Sequence, residues 1–256
     1  MATKKATTAV ATRTANAGAV ASIKDAIAAQ VAALGDRIAP PGGNQIKLAP
    51  NMMTLPDGTK TPGPLELVFV DFVAMNEYYP DGYDKDNIVP PVCFAIGSNP
   101  LKLVPSPNSP ELQAKSCAEC PMNLFKSDAR GKGKACKNGR SIAVLPPTAD
   151  ATTPLWKLKV SPTALRSFDS YVADVARSFN TIPAGVITTV GLNEAVDYPS
   201  LTFSDPTPNP QIADHFARQE EARAMLSVEP DVSKYGVEQA AKPAVKAPAK
   251  RPAVRR

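Results

Sequence analysis

The sequence predicts a mainly β chain with a minority of helix, the α+β class. Three observations lead there. Prolines number 27 in 256 residues, about twice the usual ~5%. Each internal proline removes a helical donor and clashes with the preceding turn, which excludes long helical bundles. Short apolar runs of strand length recur between Pro- and Gly-rich breaks, and the clearest helix signal follows one of them, at Ser161-Pro162.

Taken in order, residues 1–17 are Ala/Thr/Lys-rich with almost no large apolar side chains. They cannot bury enough surface to offset the entropy of ordering, so a disordered basic tail is expected. It has no apolar h-region of a secretory signal, though an acid-free, Thr-rich start loosely resembles a transit peptide. Residues 18–44 read as a helix and linker. Ser22 with Asp25 is a weak capping box, and Ile23, Ile27, Val31 and Leu34 share one face before Gly35. Prolines from Pro40 to Pro64 imply loop with short extended pieces.

Residues 45–205 read as the core. Leu65 to Val73 is apolar on both faces and predicts a buried strand. Val92 to Ile96 and Ile142 to Leu145 are two shorter runs. Leu155 to Val160 alternates, with Trp156, Leu158 and Val160 inward and Lys157 and Lys159 outward. Ser161 and Pro162 are an N-cap and first-turn pair. Leu165, Phe168, Val172, Val175 and Phe179 then form a helical stripe. Gly185 to Leu192 and Tyr198 to Ser204 predict a closing hairpin. A C-terminal helix over about Ile212 to Leu226 falls within 206–229, and a disordered Lys/Ala/Pro tail covers 230–256. Strands, one capped helix and a hairpin are the order of an OB-fold-like five-strand barrel. A generic α+β sandwich has the same elements. Residues 93–140 would be an insertion.

The formal net charge is +5, unevenly spread. From Lys115 to Arg140 seven basic residues face two acids, and neither the first 24 nor the last 15 residues contain an acid. Such concentration points to a polyanion, nucleic acid before membrane. No run approaches the ~20 apolar residues of a membrane span. A cytoplasmic location is expected.

Cys117 and Cys120 form a C-x2-C pair, Cys136 follows after 15 residues, and Cys93 lies upstream. That spacing suits a closed, structural zinc site. The fourth ligand is Cys93 or, should Cys93 be a core residue, His215. A redox pair lacks the strand-to-helix context it needs, and disulfides would need an oxidising compartment. The segment between Cys120 and Cys136 carries four cations, two glycines and Phe125. A pinned loop of this kind suits a phosphate backbone.

Four stretches carry a resemblance: Pro90-Pro91-Val92-Cys93-Phe94-Ala95-Ile96-Gly97; Cys117-Ala118-Glu119-Cys120-Pro121-Met122-Asn123-Leu124-Phe125; Gly131-Lys132-Gly133-Lys134-Ala135-Cys136-Lys137-Asn138; and Lys159-Val160-Ser161-Pro162-Thr163. Together they resemble a group of tailed-bacteriophage proteins thought to bind single-stranded DNA and to carry a zinc insertion. The resemblance implies an OB-fold core, zinc on Cys93, Cys117, Cys120 and Cys136, and a role in phage DNA replication or recombination. The basic C-terminal tail departs from the acidic one usual in replicative single-strand binders.

The expected function is sequence-tolerant binding of single-stranded DNA, or RNA. Lys126, Arg130, Lys132, Lys134, Lys137 and Arg140 would meet phosphates, and Lys157 and Lys159 would extend the track. Tyr78, Tyr79, Tyr83 and Phe125 are the stacking candidates. Replication or recombination proteins are the expected protein partners. The alternative is a zinc-stabilised adaptor or transcription-associated factor that binds protein or duplex DNA. An enzyme is not expected: there is no paired-carboxylate or His/Asp metal motif, and the chain has one histidine.

Overall fold

The computed structural model describes residues 43–82 and 89–233, together with Ile23, Ala26, Ile27 and Gln30. The expected N-terminal tail, the C-terminal tail beyond residue 233, most of the N-terminal helix and Tyr83 lie outside the described residues. The chain divides into Met1–Gly43 and Asn44–Arg256. In the first unit Ile23, Ala26, Ile27 and Gln30 are helical and exposed, and Gly43 lies in an exposed turn.

The second unit is mainly β with some helix. A small antiparallel sheet comes first: β1 (Lys47–Ala49), β2 (Met52–Thr54) and β3 (Lys60–Thr61). The main sheet is built from β4 (Leu65–Tyr78), β5 (Cys93–Gly97), β6 (Cys136–Leu145), β7 (Trp156–Val160), β8 (Val186–Leu192) and β9 (Leu201–Pro208). Helix α1 (Leu165–Phe179) separates β7 from β8, while α2 (Ile212–Ala217) and α3 (Gln219–Leu226) follow β9.

Strand β4 is the hub. Its start, Leu65–Val68, pairs with β8, and its end, Ala74–Tyr78, pairs with β5. Along Val68–Tyr78 it also pairs with β6, with a register shift between Phe69 and Asp71. The path runs β7-β6-β4-β8-β9, all antiparallel, with β5 beside β4. The expected five-strand barrel is therefore corrected to an open six-stranded sheet. The free edge of β7 shows the reason. It is taken by the chain entering β1, with Lys157 N donating to Asn44 O and Ile46 N donating to Lys157 O at 2.9 Å.

The side-chain alternation of β structure sorts the apolar residues onto two faces. Leu67 and Phe69 of β4, Ile142 and Val144 of β6, and Leu158 and Val160 of β7 face the main core. Val70, Ala143 and Leu145 face a second cluster closed by Ala222 and Leu226 of α3. Helix α1 packs Phe168, Tyr171 and Val175 into the first core. Phe168 lies 5.2 Å from Phe72 and 5.3 Å from Phe203, ring centre to ring centre.

Four expectations shift. Helix α1 begins at Leu165 with no side-chain cap, because Ser161 to Ala164 make a turn closed by Ala164 N donating to Ser161 O. Phe179 is 39% exposed, and Tyr171 takes the inward place, its hydroxyl 2.8 Å from that of Thr188. The single C-terminal helix is two. Arg218 sits at the break, bonded through its guanidinium to Glu221 and to the carbonyl of Thr153. Strand β9 continues through Pro206 and Pro208, which an end-of-sheet strand tolerates because one row of donors needs no partner. No helix among the described residues is long and apolar enough to cross a membrane.

Candidate nucleic-acid interface

The zinc expectation is overturned. Among the described residues no group of three or more His, Cys, Asp and Glu side chains is placed to hold a metal ion. Cys93, Cys117, Cys120 and Cys136 are buried free thiols. They line one small pocket together with Asn76, Tyr78 and Phe94. Burial is the main influence on two of them: it raises the Cys117 thiol, and it pushes Cys136 up to about 12. As free thiols both are protonated at neutral pH. His215 is no substitute. It is buried, with Nδ1 3.0 Å from Asn209 Nδ2 and Nε2 3.3 Å from the Ala149 carbonyl, so it ties α2 to the loop after β6.

Hydrogen bonds fold the basic loop. Asn123 donates from Nδ2 to Cys117 O at 2.7 Å. The Ser127 hydroxyl lies 2.7 Å from Leu124 O and accepts from Ala135 N at 2.9 Å. Asp128 Oδ1 accepts from the N–H groups of Lys132 and Gly133 at 2.7 and 2.9 Å. Gly131 sits between them at φ +64°, a conformation that suits glycine. The backbone bonds hold the Asp128 carboxyl below its usual range, the bond from Gly133 contributing most.

A group with a depressed folded pKa contributes stability above its unfolded pKa and loses it as pH falls through the folded value. The 128–133 turn is therefore expected to hold at neutral pH and to loosen only below the ordinary carboxylate range. Asp128→Ala should speed amide exchange at Lys132 and Gly133 at pH 7. Unchanged exchange there would show that the carboxylate does not hold the loop.

This fold leaves Lys126, Arg130, Lys132 and Lys137 exposed. Lys126 takes a left-handed backbone, φ 72°. Phe125 is 70% and Leu124 58% exposed. Lys134 is half-buried, donating to Asn123 Oδ1 at 3.2 Å. Arg140 is withdrawn from the surface. It is buried and pairs with Asp169 of α1 at 2.9 Å, so it joins sheet to helix and does not face solvent with the loop.

The remaining candidates divide between two faces of the sheet. Tyr78 is half-buried and lines the thiol pocket, and burial raises its phenol. Tyr79 lines a separate cleft of about 410 Å³. Lys157 and Lys159 line the same cleft, with Val73, Met75, Glu77 and Ser141. Lys159 donates to Glu77 Oε1 at 3.2 Å. Burial lowers the Lys157 amine, and neighbouring Lys159 lowers it further while Glu77 opposes. Sequence reasoning missed Met75, Glu77 and Ser141. For Met75 and Glu77 the signal was period-2 alternation continued past Val73 into a polar stretch.

No family model, characterised protein or solved structure matches the chain.

Proposed function

We propose that the chain is a sequence-tolerant single-stranded DNA-binding protein. The observation that carries this reading is the loop between Pro121 and Lys137. One hydrogen-bonded turn presents an exposed phenyl ring among four exposed cations, while its one carboxylate, Asp128, is taken up by backbone N–H groups. Cations neutralise phosphates and an exposed ring stacks a base without reading its edge.

The sheet supports the same reading. Taken as β4, β6, β7, α1, β8 and β9, with β5 left aside, the element order and pairing are compatible with an OB-fold left open at one seam. In that correspondence β6 and β7 are the second and third strands, and the basic loop lies between the first and second. Those are the places where OB-folds bind oligonucleotides. Helix α1 carries Arg166 and Arg177 beside Asp169 and Asp174, so it has no cationic face suited to a duplex groove. The resemblance to phage proteins extends the proposal to phage DNA replication or recombination, with its zinc component set aside.

Fluorescence anisotropy of the full chain tests this, using labelled single strands of mixed and homopolymer sequence, the RNA equivalent and a duplex, each at two salt concentrations. Tight, salt-sensitive and sequence-indifferent binding to the single strand is expected. Equal or tighter binding to the duplex would contradict the proposal and favour a duplex-binding adaptor.

A further inference from the structure

The cleft beside β7 has features that a phosphate track does not explain. Its floor is apolar: Val73 and Met75 of β4 lie beside Ile96 of β5. Its opposite wall is the end of α3 at Leu226 and the segment after it at Val228. Glu229 fixes that wall, accepting hydrogen bonds from Ser106 Oγ at 2.6 Å and Asn108 Nδ2 at 2.7 Å. At about 410 Å³ the cleft falls within the ~300–1,000 Å³ range of small-ligand sites.

The polar groups at one side are mixed in sign. Lys159 is already neutralised by Glu77 at 3.2 Å, and Lys157 is half-buried. Acidic side chains at 229 and 231 line the same cleft. This charge balance does not favour a phosphate. It favours an uncharged group that carries both donors and acceptors.

Ser141 supplies the second observation. It lies on β6, is 4% exposed and lines the cleft. Its Oγ is the one buried side-chain oxygen or nitrogen without a hydrogen-bond partner among the described residues. Native structures satisfy nearly all such groups, and an exception beside a cleft is a place where a ligand or a water can supply the partner.

We infer that this cleft receives one nucleobase of the bound strand, its ring between Met75 and Val228 and its edge against Ser141, Lys157 and Glu77. The inference rests on the single-strand reading and assigns the base and the phosphates to different parts of the protein. The phosphates go to the 121–137 loop. One base goes to a pocket whose hydroxyl, ammonium and carboxylate can answer the amide-like edge of any of the four bases, while another base of the strand stacks on Phe125 of the loop.

Neutral nucleosides separate the two parts, because they carry no phosphate for the loop to attract. Saturation-transfer NMR of the full chain with adenosine, guanosine, cytidine and thymidine should show saturable binding, with transfer concentrated on the base protons. Ser141→Leu should abolish it by filling the cleft. Ser141→Ala should weaken it about threefold to tenfold, the loss of one hydrogen bond, with a melting temperature equal to or above that of the parent. For a labelled oligonucleotide both variants should lower affinity and leave the salt slope unchanged. Absence of saturable nucleoside binding, or equal binding by Ser141→Ala and Ser141→Leu, would overturn the pocket. If oligonucleotides bind while nucleosides do not, the pocket falls and the single-strand reading stands. If neither binds, both fall.

Discussion

Replacing Lys126, Arg130, Lys132 and Lys137 together by glutamine is expected to flatten the salt dependence of single-strand binding by about 2.8 units of log–log slope. Each phosphate contact on a single strand releases counterions at about 0.7 per charge, and all four side chains are exposed in one folded loop. Between 50 and 200 mM salt, a slope difference of that size corresponds to about a 50-fold difference in lost affinity. The parent should weaken by that much more than the variant. Arg140 stays in place because its guanidinium is committed to Asp169. The variant should melt close to the parent, since the turn is held by Asp128, Ser127 and Asn123, and the substitutions remove one exposed bond, from Lys137 Nζ to Lys134 O at 2.9 Å. An unchanged slope would place the loop away from the nucleic acid.

Phe168→Ala is expected to have the largest effect on stability. Its side chain is fully buried, and its ring meets those of Phe69, Phe72 and Phe203 at 6.1, 5.2 and 5.3 Å. Truncating a phenylalanine in such a setting costs about 3–5 kcal/mol, part transfer and part cavity. For a chain of this size each kcal/mol shifts the melting point by about 2–4 °C. Urea and thermal unfolding measure both quantities. Phe179→Ala is the comparison, since that ring is 39% exposed and its loss should cost under about 1 kcal/mol. Equal costs at the two positions would contradict the docking of α1 on the sheet.

These effects rest on features unequally legible in the sequence. Strand β7 was readable because Trp156, Leu158 and Val160 alternate with two lysines, and one face of that strand is buried. The β4 and β6 strands were cut short for the opposite reason. Beyond Met75 and before Ile142 they are mostly polar, and they pair with each other there: Asn76 opposes Asn138, with Asn138 Nδ2 donating to Asn76 Oδ1 at 2.6 Å, and Glu77 opposes Lys137. Pairing between polar strands leaves no apolar period to read. The small sheet β1–β3 was hidden among prolines, although Ile46 and Met53 bury themselves in the main core.

The candidate site was half legible. Charge density and the aromatic residue marked the loop, and the structure exposes Phe125 and four of the six loop cations. Cysteine spacing pointed to a metal, but side-chain hydrogen bonds of Asn123, Ser127 and Asp128 hold the loop, and such bonds leave no spacing signature. Arg140 resembled its basic neighbours in sequence. Only the antiparallel pairing of β6 with β7, and the helix that follows β7, bring it to Asp169. The cleft was invisible because it assembles β4, β5, β6, β7 and the segment after α3 from distant parts of the chain.

The central claim is that the 121–137 loop is where the strand binds. Photo-cross-linking tests it most directly, with a single strand carrying 5-iodouracil and the adducts located by mass spectrometry of the full chain. Adducts on Phe125 and its neighbours, lost when unlabelled single strand competes, are the predicted result. Adducts confined to α1 or to the outer edge of β9, with none between residues 121 and 137, would contradict it.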